Sequence, residues 1–226
     1  MRRFAVIGLG RFGSQLARAL TRAGAEVVAI DKDRKIIEQI SPDVTVAVRL
    51  DSTEEDALRA QGVDKVDAAI VGIGGGFEAN ILTTVTLKSI GVKYVCSRAE
   101  RQMHGNILRR IGADEVIFPE DESALRWSFK LMAPRISDTL EFAPGFSLAQ
   151  YNAPASFNGK TLLDLHLRKK YHVNLIGLRR AGAADEGDKK IARQIINVPL
   201  PETVINEGDL LWLVGSEEDL AALPDE

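Results

Sequence analysis

The fold of this chain can be predicted from one stretch, Phe4-Ala5-Val6-Ile7-Gly8-Leu9-Gly10-Arg11-Phe12-Gly13. A short apolar run is followed at once by three glycines with the spacing G-x-G-x-x-G, and an amphipathic segment comes next. This order predicts a strand, a tight turn and the start of a helix. In dinucleotide-binding folds the first glycine permits the turn, the second lets the backbone approach a pyrophosphate, and the third lets the helix pack on the strand. Free N–H groups of the helix's first turn would then face the phosphates.

An acidic residue, Asp31, ends the next apolar run, Glu26-Val27-Val28-Ala29-Ile30. It follows the glycines at the spacing of about 20 residues that such sites use. A carboxylate at this position can accept hydrogen bonds from both ribose hydroxyls, and it would repel a 2′-phosphate. We therefore predict a site for an adenine nucleotide or NAD, with NADP disfavoured. The alternative is an ordinary glycine turn, but the strand, the helix and the acid all fall in register for a nucleotide site.

Composition narrows the class of protein. The chain has 226 residues and a net charge of −3, with no long run of lysine and arginine. This argues against a nucleic-acid groove and against an electrostatic membrane anchor. No signal peptide is evident, and no apolar run approaches the roughly 20 residues that a membrane helix needs. We expect a cytoplasmic protein that reaches the membrane only through a partner, with the single cysteine, Cys96, buried in a strand.

The first half of the chain alternates predicted strands and helices. Asp51-Ser52-Thr53 is predicted to end the third strand and to cap the helix Glu54–Gln61. Six strands with helical crossovers predict a Rossmann-like, doubly wound parallel sheet, with the third strand at an edge. The remaining predicted strands and helices of this half are Phe4–Ile7, Glu26–Ile30, Val44–Leu50, Ala68–Ile73, Lys93–Ser97 and Glu115–Phe118, and Arg34–Ile40, Glu78–Ile90 and Gln102–Ile111.

In such a sheet the ligand crevice lies at the carboxyl ends of the strands. That rule brings together residues that are far apart in the chain. Each has an ordinary reading as a helix cap, a loop glycine or a solvated charge, so only their shared position favours a site. The residues at this edge are Asp31, Asp51, Ser52, Ile73, Gly74, Arg98 and Glu120.

The last third of the chain has a different pattern. A helix from Ser123 to Met132 is closed by Pro134, so we place a domain boundary between residues 136 and 137. Residues 137–226 are predicted to form a small α+β domain with a small, charged loop from Ala181 to Lys190. Its predicted strands are Ser147–Gln150, Val173–Arg179 and Leu210–Val214, and its predicted helices are Thr161–Lys170 and Glu217–Leu223.

These residues together resemble the RCK family, the regulators of conductance of potassium, and within it the cytosolic gating subunits of Ktr/Trk potassium-uptake systems. The resemblance covers nearly the whole chain. It depends on the glycine stretch, the acid at Asp31, the turn Leu50-Asp51-Ser52-Thr53, and three further blocks. These blocks are Ile81-Leu82-Thr83-Thr84, Gly112-Ala113-Asp114-Glu115-Val116-Ile117 with Pro119-Glu120, and Gly159-Lys160-Thr161-Leu162 through Arg168 and Tyr171.

The resemblance implies a nucleotide-binding first lobe followed by a small regulatory lobe. It implies ATP or ADP as the ligand, with NAD as a further candidate. The partners would be a second copy of the chain, an octameric ring of such dimers, and a membrane potassium transporter subunit, with no nucleic acid. Arg11 matches an arginine that reaches a γ-phosphate, partly from the neighbouring subunit. The other positions assigned to the nucleotide are Gly8, Leu9, Gly10, Phe12, Gly13, Asp31, Lys32, Asp51, Ser52, Ile73, Gly74, Arg98 and Glu120.

Two further sites are implied by the resemblance alone. Glu120, with its symmetry mate, matches an acid that holds a cation such as Mg²⁺ or Na⁺ at the dimer seam. Some relatives also bind cyclic di-AMP between two second lobes. The matching positions in this chain are Leu162, Leu163, Arg168 and Asn174.

An NAD-dependent oxidoreductase or an NAD-sensing redox regulator is the competing reading. An oxidoreductase would need an acid/base group beside the nicotinamide. The three histidines, His104, His166 and His172, are not spaced as a base with an orienting acid, so we expect no enzyme activity. Asn158-Gly159-Lys160-Thr161 resembles the end of a P-loop, but Pro154 stands where the first glycine is required. A redox regulator would need a DNA-reading segment, and none is evident.

Overall fold

A computed structural model describes residues 2–181, 195–196 and 198–225 of the chain. The chain divides into two compact units, Met1–Asp121 and Glu122–Glu226. We call them the first and the second unit and describe each by itself. The boundary that the sequence suggests, after residue 136, stays a prediction.

The first unit is built on a six-stranded parallel sheet with the strand order β3-β2-β1-β4-β5-β6. This confirms the predicted doubly wound sheet and the edge position of the third strand. Strand β1 pairs with β2 on one side and with β4 on the other, so it lies near the middle of the sheet. The strands are β1 Arg3–Ile7, β2 Glu26–Asp31, β3 Val46–Arg49, β4 Ala68–Val71, β5 Val95–Arg98 and β6 Glu115–Ile117.

Both faces of this sheet are buried, which explains why the central strands read as continuous apolar runs. Ala5 and Ile7 of β1 pack in the core on one face, and Val6 packs in the core on the other. Cys96 is buried in β5, as the sequence predicts. The helices of this unit are α1 Arg11–Arg22, α2 Arg34–Ile40, α3 Glu55–Ala60, α4 Phe77–Ser89 and α5 Gln102–Arg110, and α6 Pro119–Met132 begins in this unit and continues in the second.

Two predictions about helix starts are wrong. Asp51, Ser52 and Thr53 do not cap helix α3, because its N-cap is Glu54, which makes no side-chain cap hydrogen bond. Asp51 instead accepts hydrogen bonds from the backbone N–H and the hydroxyl of Thr53, which closes the turn before the helix. Helix α6 begins at Pro119 rather than at Ser123, since proline is well suited to a first helical position.

The glycine turn is held by a very close approach between backbone segments. Gly8 has φ +84°, a conformation that favours glycine. Gly13 packs so tightly on this turn that a Cβ atom at Gly13 would lie 2.1 Å from the Gly8 carbonyl oxygen. A Cβ atom at Gly10 would meet no atom within 4 Å. Gly13 is therefore required for packing, whereas Gly10 leaves open space beside the start of α1.

The second unit contains a five-stranded antiparallel sheet with the order β11-β10-β13-β8-β7 and a separate two-stranded pairing of β9 with β12. The small α+β architecture is confirmed. Its core includes Tyr151, Phe157 and Leu213. The strands are β7 Ile136–Ala143, β8 Phe146–Asn152, β9 Lys160–Thr161, β10 Asn174–Arg179, β11 Ile195–Ile196, β12 Val204–Ile205 and β13 Leu210–Ser216, and the helices are α7 Leu162–Leu165, α8 Leu167–Lys170 and α9 Glu217–Ala221.

The sequence does not predict strands β7, β9, β11 and β12 of this unit, and it predicts one helix where there are two. Strand β7 begins at Ile136, at the predicted boundary itself, and is largely exposed, so its apolar signal is weak. The predicted helix Thr161–Lys170 is broken into α7 and α8 at His166, which has φ +47°. The predicted loop Ala181–Lys190 lies outside the described residues beyond Ala181. Among the described helices, none is long and apolar enough to cross a bilayer.

The contrast between Gly13 and Gly10 can be tested directly. We expect Gly13→Ala to lower the free energy of unfolding by about 3 kcal/mol or more, since the added methyl group meets a backbone oxygen that cannot move aside. We expect Gly10→Ala to lower it by only about 1 kcal/mol or less, because the space is open and only the preference for glycine over alanine at an N-cap is lost. Chemical denaturation of the two variants beside the unaltered chain measures this difference. Equal stability of the two variants would contradict the packing role of Gly13.

Candidate functional site

A cleft of about 390 Å³ lies where the central strands of the first unit end. It is lined by the segments that follow β1, β2, β3, β4 and β5, as expected for a doubly wound sheet. The structure thus gathers segments that are up to 90 residues apart in sequence, from Gly8 to Arg98. Nine of the predicted residues line it, namely Gly8, Gly10, Asp31, Lys32, Asp51, Ser52, Ile73, Gly74 and Arg98.

The other predicted residues lie beside the cleft rather than in its lining. Leu9 is 2% exposed and belongs to the core, and Phe12 packs against the same core. Gly13 is buried beneath the turn. Arg11 is exposed at the first position of α1, and Glu120 is exposed on the first turn of α6. The roles that the sequence assigns to these residues stay predictions.

The amino end of helix α1 faces the cleft through the glycine turn. Gly10 is the N-cap of α1 and makes no side-chain cap hydrogen bond, and the first turn contains no acidic residue. The first N–H groups of a helix lack partners within the helix and carry the positive end of its dipole. This arrangement is suited to an anion such as a phosphate group. Among the described residues, no side-chain hydrogen bond or ion pair is found for Arg11.

Besides the contact with a ribose that the sequence predicts, Asp31 makes hydrogen bonds that hold the glycine turn. Its carboxylate accepts the backbone N–H of Leu9 at 2.7 Å and that of Asp33 at 2.9 Å. It therefore ties the glycine turn to the end of β2. A carboxylate has about four acceptor positions, so two remain for the hydroxyl groups of a ribose.

Asp51 and Ser52, in the turn after β3, form part of the lining of the cleft. Hydrogen bonds from the backbone and the hydroxyl of Thr53 lower the pKa of Asp51, and the positive charge of Lys32 lowers this pKa further. Ser52 is buried, and its hydroxyl lies 2.7 Å from the hydroxyl of Thr83 on helix α4. The turn after β3 is therefore fixed to α4 while the Asp51 carboxylate remains at the surface of the cleft.

Asn80 is a positioning residue that the sequence analysis misses. Its side-chain amide donates to the carbonyl oxygen of Ile73 at 3.1 Å and to that of Arg98 at 2.9 Å. Asn80 is only 2% exposed, so it joins the ends of β4 and β5 from beneath the cleft. An asparagine one turn into a predicted helix is not a signal by itself, because its burial and its two carbonyl partners are known only from the fold.

Arg98 lies across the loop after β4. Its Nη2 atom is 2.7 Å from Oε1 of Glu120 and 3.6 Å from Oε1 of Glu100. A Cβ atom on Gly74 would lie 2.1 Å from Nη1 of Arg98, so a larger residue at position 74 would displace the guanidinium from its present position. The Nε atom of Arg98 is buried and has no hydrogen-bond partner within the part of the chain that is described. A buried donor without a partner is expensive, which indicates that a ligand oxygen could satisfy it.

Apolar side chains form much of the remaining wall, and they are not predicted from the sequence as ligand contacts. They resemble ordinary core residues in sequence because each stands at a strand end or on a helix face. An apolar wall with a few polar groups suits a flat base. The residues of this wall are Ile7, Ile30, Ile36, Leu50 and Ala79.

No histidine of the described residues lines the cleft. His104 is instead stacked on Phe77, with ring centroids 3.8 Å apart. In the described ranges no group of three or more His, Cys, Asp or Glu side chains is placed to hold a metal ion. The cleft thus offers donors for phosphate and acceptors for hydroxyl groups.

The second unit has a cavity of its own, also about 390 Å³ in volume. Leu162, Leu163 and Arg168 line it, together with His166 and Lys169. Asn174, the fourth residue predicted for a cyclic dinucleotide, is not part of this lining. The cavity combines apolar and basic side chains. Cyclic di-AMP as its ligand stays a prediction.

The fold and the cleft define a class, a Rossmann-type nucleotide-binding unit followed by a small α+β unit. Comparison with known proteins is more specific. The model of the TrkA-N domain matches residues 4–119, and the model of the TrkA-C domain matches residues 151–225. Ktr system potassium uptake protein C of Bacillus subtilis (strain 168) is 36% identical across 96% of this chain and 94% of its own length. The chain belongs to the TrkA-N/TrkA-C family of potassium-uptake proteins, which confirms the resemblance found in the sequence.

Other relatives and solved structures agree with this assignment. Ktr system potassium uptake protein A of Vibrio alginolyticus is 30% identical across 97% of this chain and 95% of its own length. The NAD(P)-binding domain of an exopolyphosphatase-related protein from Archaeoglobus fulgidus is 27% identical, with a TM-score of 0.52 over 58% of this chain and 98% of that domain. The GsuK channel bound to NAD is 23% identical, with a TM-score of 0.51 over 97% of this chain and 37% of that one, and it shows the same fold.

The lowered pKa of Asp51 predicts a pH dependence of stability. Its ordinary value is 3.8, and the folded value lies below it. The charged form therefore stabilises the fold above the ordinary pKa, and this contribution is lost as the pH falls through the folded pKa. We expect Asp51→Asn to be less stable than the unaltered chain at pH 7, because the amide accepts weaker hydrogen bonds from Thr53.

Thermal unfolding of both proteins between pH 7 and pH 3 measures this difference. It should shrink below about pH 4, where carboxylates of ordinary pKa take up protons. Glu54→Gln removes an exposed carboxylate that makes no side-chain cap bond, and it controls for the change in net charge. A difference that stays constant down to pH 3 would contradict the assigned cause.

Proposed function

We propose that this chain is a cytoplasmic regulatory subunit of a membrane potassium-uptake system and that an adenine nucleotide in the cleft controls it. One observation carries the proposal. The glycine turn, Asp31 and Arg98 line one cleft in a chain that aligns over nearly its whole length with Ktr potassium-uptake proteins.

The cleft fits ATP, ADP or NAD by the groups it presents. The N–H groups at the start of α1 and the unpartnered Nε of Arg98 suit phosphate oxygens. The free acceptor positions of Asp31 suit ribose hydroxyls, and its charge disfavours a 2′-phosphate. Ile36 and Leu50 supply apolar surface for the adenine base. These contacts orient the ligand and require no chemical step.

ATP and ADP must be distinguished by a contact that only one of them can make. Arg11 is exposed and projects from the first turn of α1, next to the glycine turn. From a neighbouring subunit, such an arginine adds charge-assisted hydrogen bonds to a γ-phosphate. ATP would then connect two subunits in a way that ADP cannot, which is the differential interaction that a conformational shift requires. A coupling free energy of about 1–3 kcal/mol suffices for regulation of this kind.

Assembly is part of the proposal. Dimers arranged as an octameric ring under the transporter would convert the change at each cleft into a change of ring shape. Glu120 is 66% exposed, so it remains accessible to a symmetry mate. A Mg²⁺ or Na⁺ ion at Glu120 would need ligands from a second subunit, since no three-ligand cluster is found among the described residues of one chain.

A second effector is proposed for the cavity of the second unit. Leu162 and Leu163 provide apolar surface against which bases can pack, and Arg168 provides charge for a phosphate. Cyclic di-AMP combines these two features. Asn174, on strand β10, would have to contribute from outside the cavity lining.

Replacing Arg11 tests the distinction between the two nucleotides. We expect Arg11→Ala to weaken binding of ATP by about 5-fold to 150-fold, the range of a typical allosteric coupling, and to change binding of ADP much less. Isothermal titration of the full chain with each nucleotide measures this. Arg22→Ala, at the opposite end of the same helix, is the matched control. Equal losses for ATP and ADP would contradict the γ-phosphate role.

Potassium uptake tests the proposed function itself. In cells that lack their own uptake systems and carry a Ktr-type transporter, we expect faster potassium uptake when this chain is co-expressed. Arg11→Ala should reduce the gain, because ATP would no longer be distinguished from ADP. Uptake that is identical with and without the chain would contradict the proposal, and steady turnover of NADH by the purified chain would favour the oxidoreductase.

A further inference from the structure

Arg98 belongs to two cavities of the first unit. It lines the nucleotide cleft beside Gly74. It also lines a separate cavity of about 300 Å³ together with Glu100, Phe118 and Glu120. A single guanidinium group therefore lies between the proposed phosphate site and an exposed carboxylate.

Both acidic neighbours of the Arg98 guanidinium, Glu100 and Glu120, line the smaller cavity rather than the nucleotide cleft. Nη2 is 2.7 Å from Glu120, and the same nitrogen is 3.6 Å from Glu100. Nε is buried and lacks a partner among the described residues. A guanidinium has five donors in one rigid plane, so it cannot turn toward a phosphate without changing its geometry toward Glu120.

The backbone of Arg98 is fixed by a hydrogen bond, whereas its guanidinium group lies beside two cavities. The Arg98 carbonyl oxygen accepts the amide of Asn80 at 2.9 Å, which fixes the end of β5. The side chain of Arg98 is 15% exposed, and that of Glu120 is 66% exposed. A phosphate-bearing ligand in the cleft would thus meet a largely buried cation whose present partner is an exposed carboxylate.

We propose that Arg98 couples the cleft to Glu120, because a ligand phosphate and the Glu120 carboxylate compete for its guanidinium. This inference rests on the proposed nucleotide function and adds a route by which occupancy of the cleft changes another site. When a ligand phosphate binds the Arg98 guanidinium, the Glu120 carboxylate loses its ion-pair partner. The negative charge of Glu120 can then attract a cation or a basic group. By linkage, anything that draws Glu120 away from Arg98 strengthens phosphate binding by the same factor.

The test uses the full chain and ADP as the probe, in buffer without divalent cations. We expect Glu120→Gln to bind ADP about 2-fold to 5-fold more tightly, the range of a partly exposed ion pair. Glu100→Gln removes a carboxylate near the same nitrogen and should change the affinity by less than 2-fold, since a separation of 3.6 Å is a weaker contact. Isothermal titration measures each affinity, and thermal unfolding checks that each variant is folded.

Two further measurements separate competition from a general effect. In an Arg98→Ala background, Glu120→Gln should no longer change the affinity for ADP. Adenosine, which has no phosphate, should bind the unaltered chain and Glu120→Gln equally. Weaker or unchanged ADP binding by Glu120→Gln would overturn the inference, as would the same gain in the Arg98→Ala background or with adenosine.

These outcomes are distinct from a failure of the proposed function. If the unaltered chain binds ADP and the variants show no coupling, only the role of Arg98 is wrong. If the unaltered chain binds none of ADP, ATP and NAD, the nucleotide function and this coupling are both overturned.

Discussion

The contact on which the rest of this molecule depends is the approach of Gly13 to the carbonyl oxygen of Gly8. No side chain fits there, since a Cβ atom would lie 2.1 Å from that oxygen. Because the helix can come this close, its first N–H groups lie at the mouth of the turn, beside the ends of the neighbouring strands. Asp31 then holds the turn from the side through the N–H of Leu9. The anion site is thus a consequence of how tightly one helix packs on one strand.

Much of this fold can be predicted from residues whose neighbours in sequence are also their neighbours in space. The glycine spacing, the apolar runs and the glycines after the helices identify the six strands, and the alternation of the third strand places it at an edge. The edge at which Asp31, Asp51 and Arg98 meet follows from the topology rule alone. The strand β7 is harder, because most of its side chains are exposed and alternate weakly. The break at His166 cannot be predicted from propensity, since a histidine with positive φ is held by its surroundings.

The residues of the candidate site likewise fall into two groups, those that carry a sequence signal and those that do not. Residues that act through their backbone or their charge, such as Gly8 and Asp31, carry a sequence signal. Asn80 does not, because its role depends on two carbonyl oxygens supplied by β4 and β5. The pair of Arg98 and Glu120 joins the end of β5 to the start of α6, and only the folded chain reveals that the two side chains meet. The regulatory logic that we infer depends on these long-range contacts, in which a cation near the phosphates is also the partner of an exposed carboxylate.

The central claim is that the glycine turn, Asp31 and the loop after β4 bind an adenine nucleotide together. Hydrogen exchange of the full chain, followed by mass spectrometry with and without saturating ADP, tests it most directly. The account predicts slower exchange in residues 8–14, 31–33 and 72–76, where the backbone would face the ligand. If ADP leaves these three segments unchanged, or protects only segments of the second unit, the account of the cleft is contradicted.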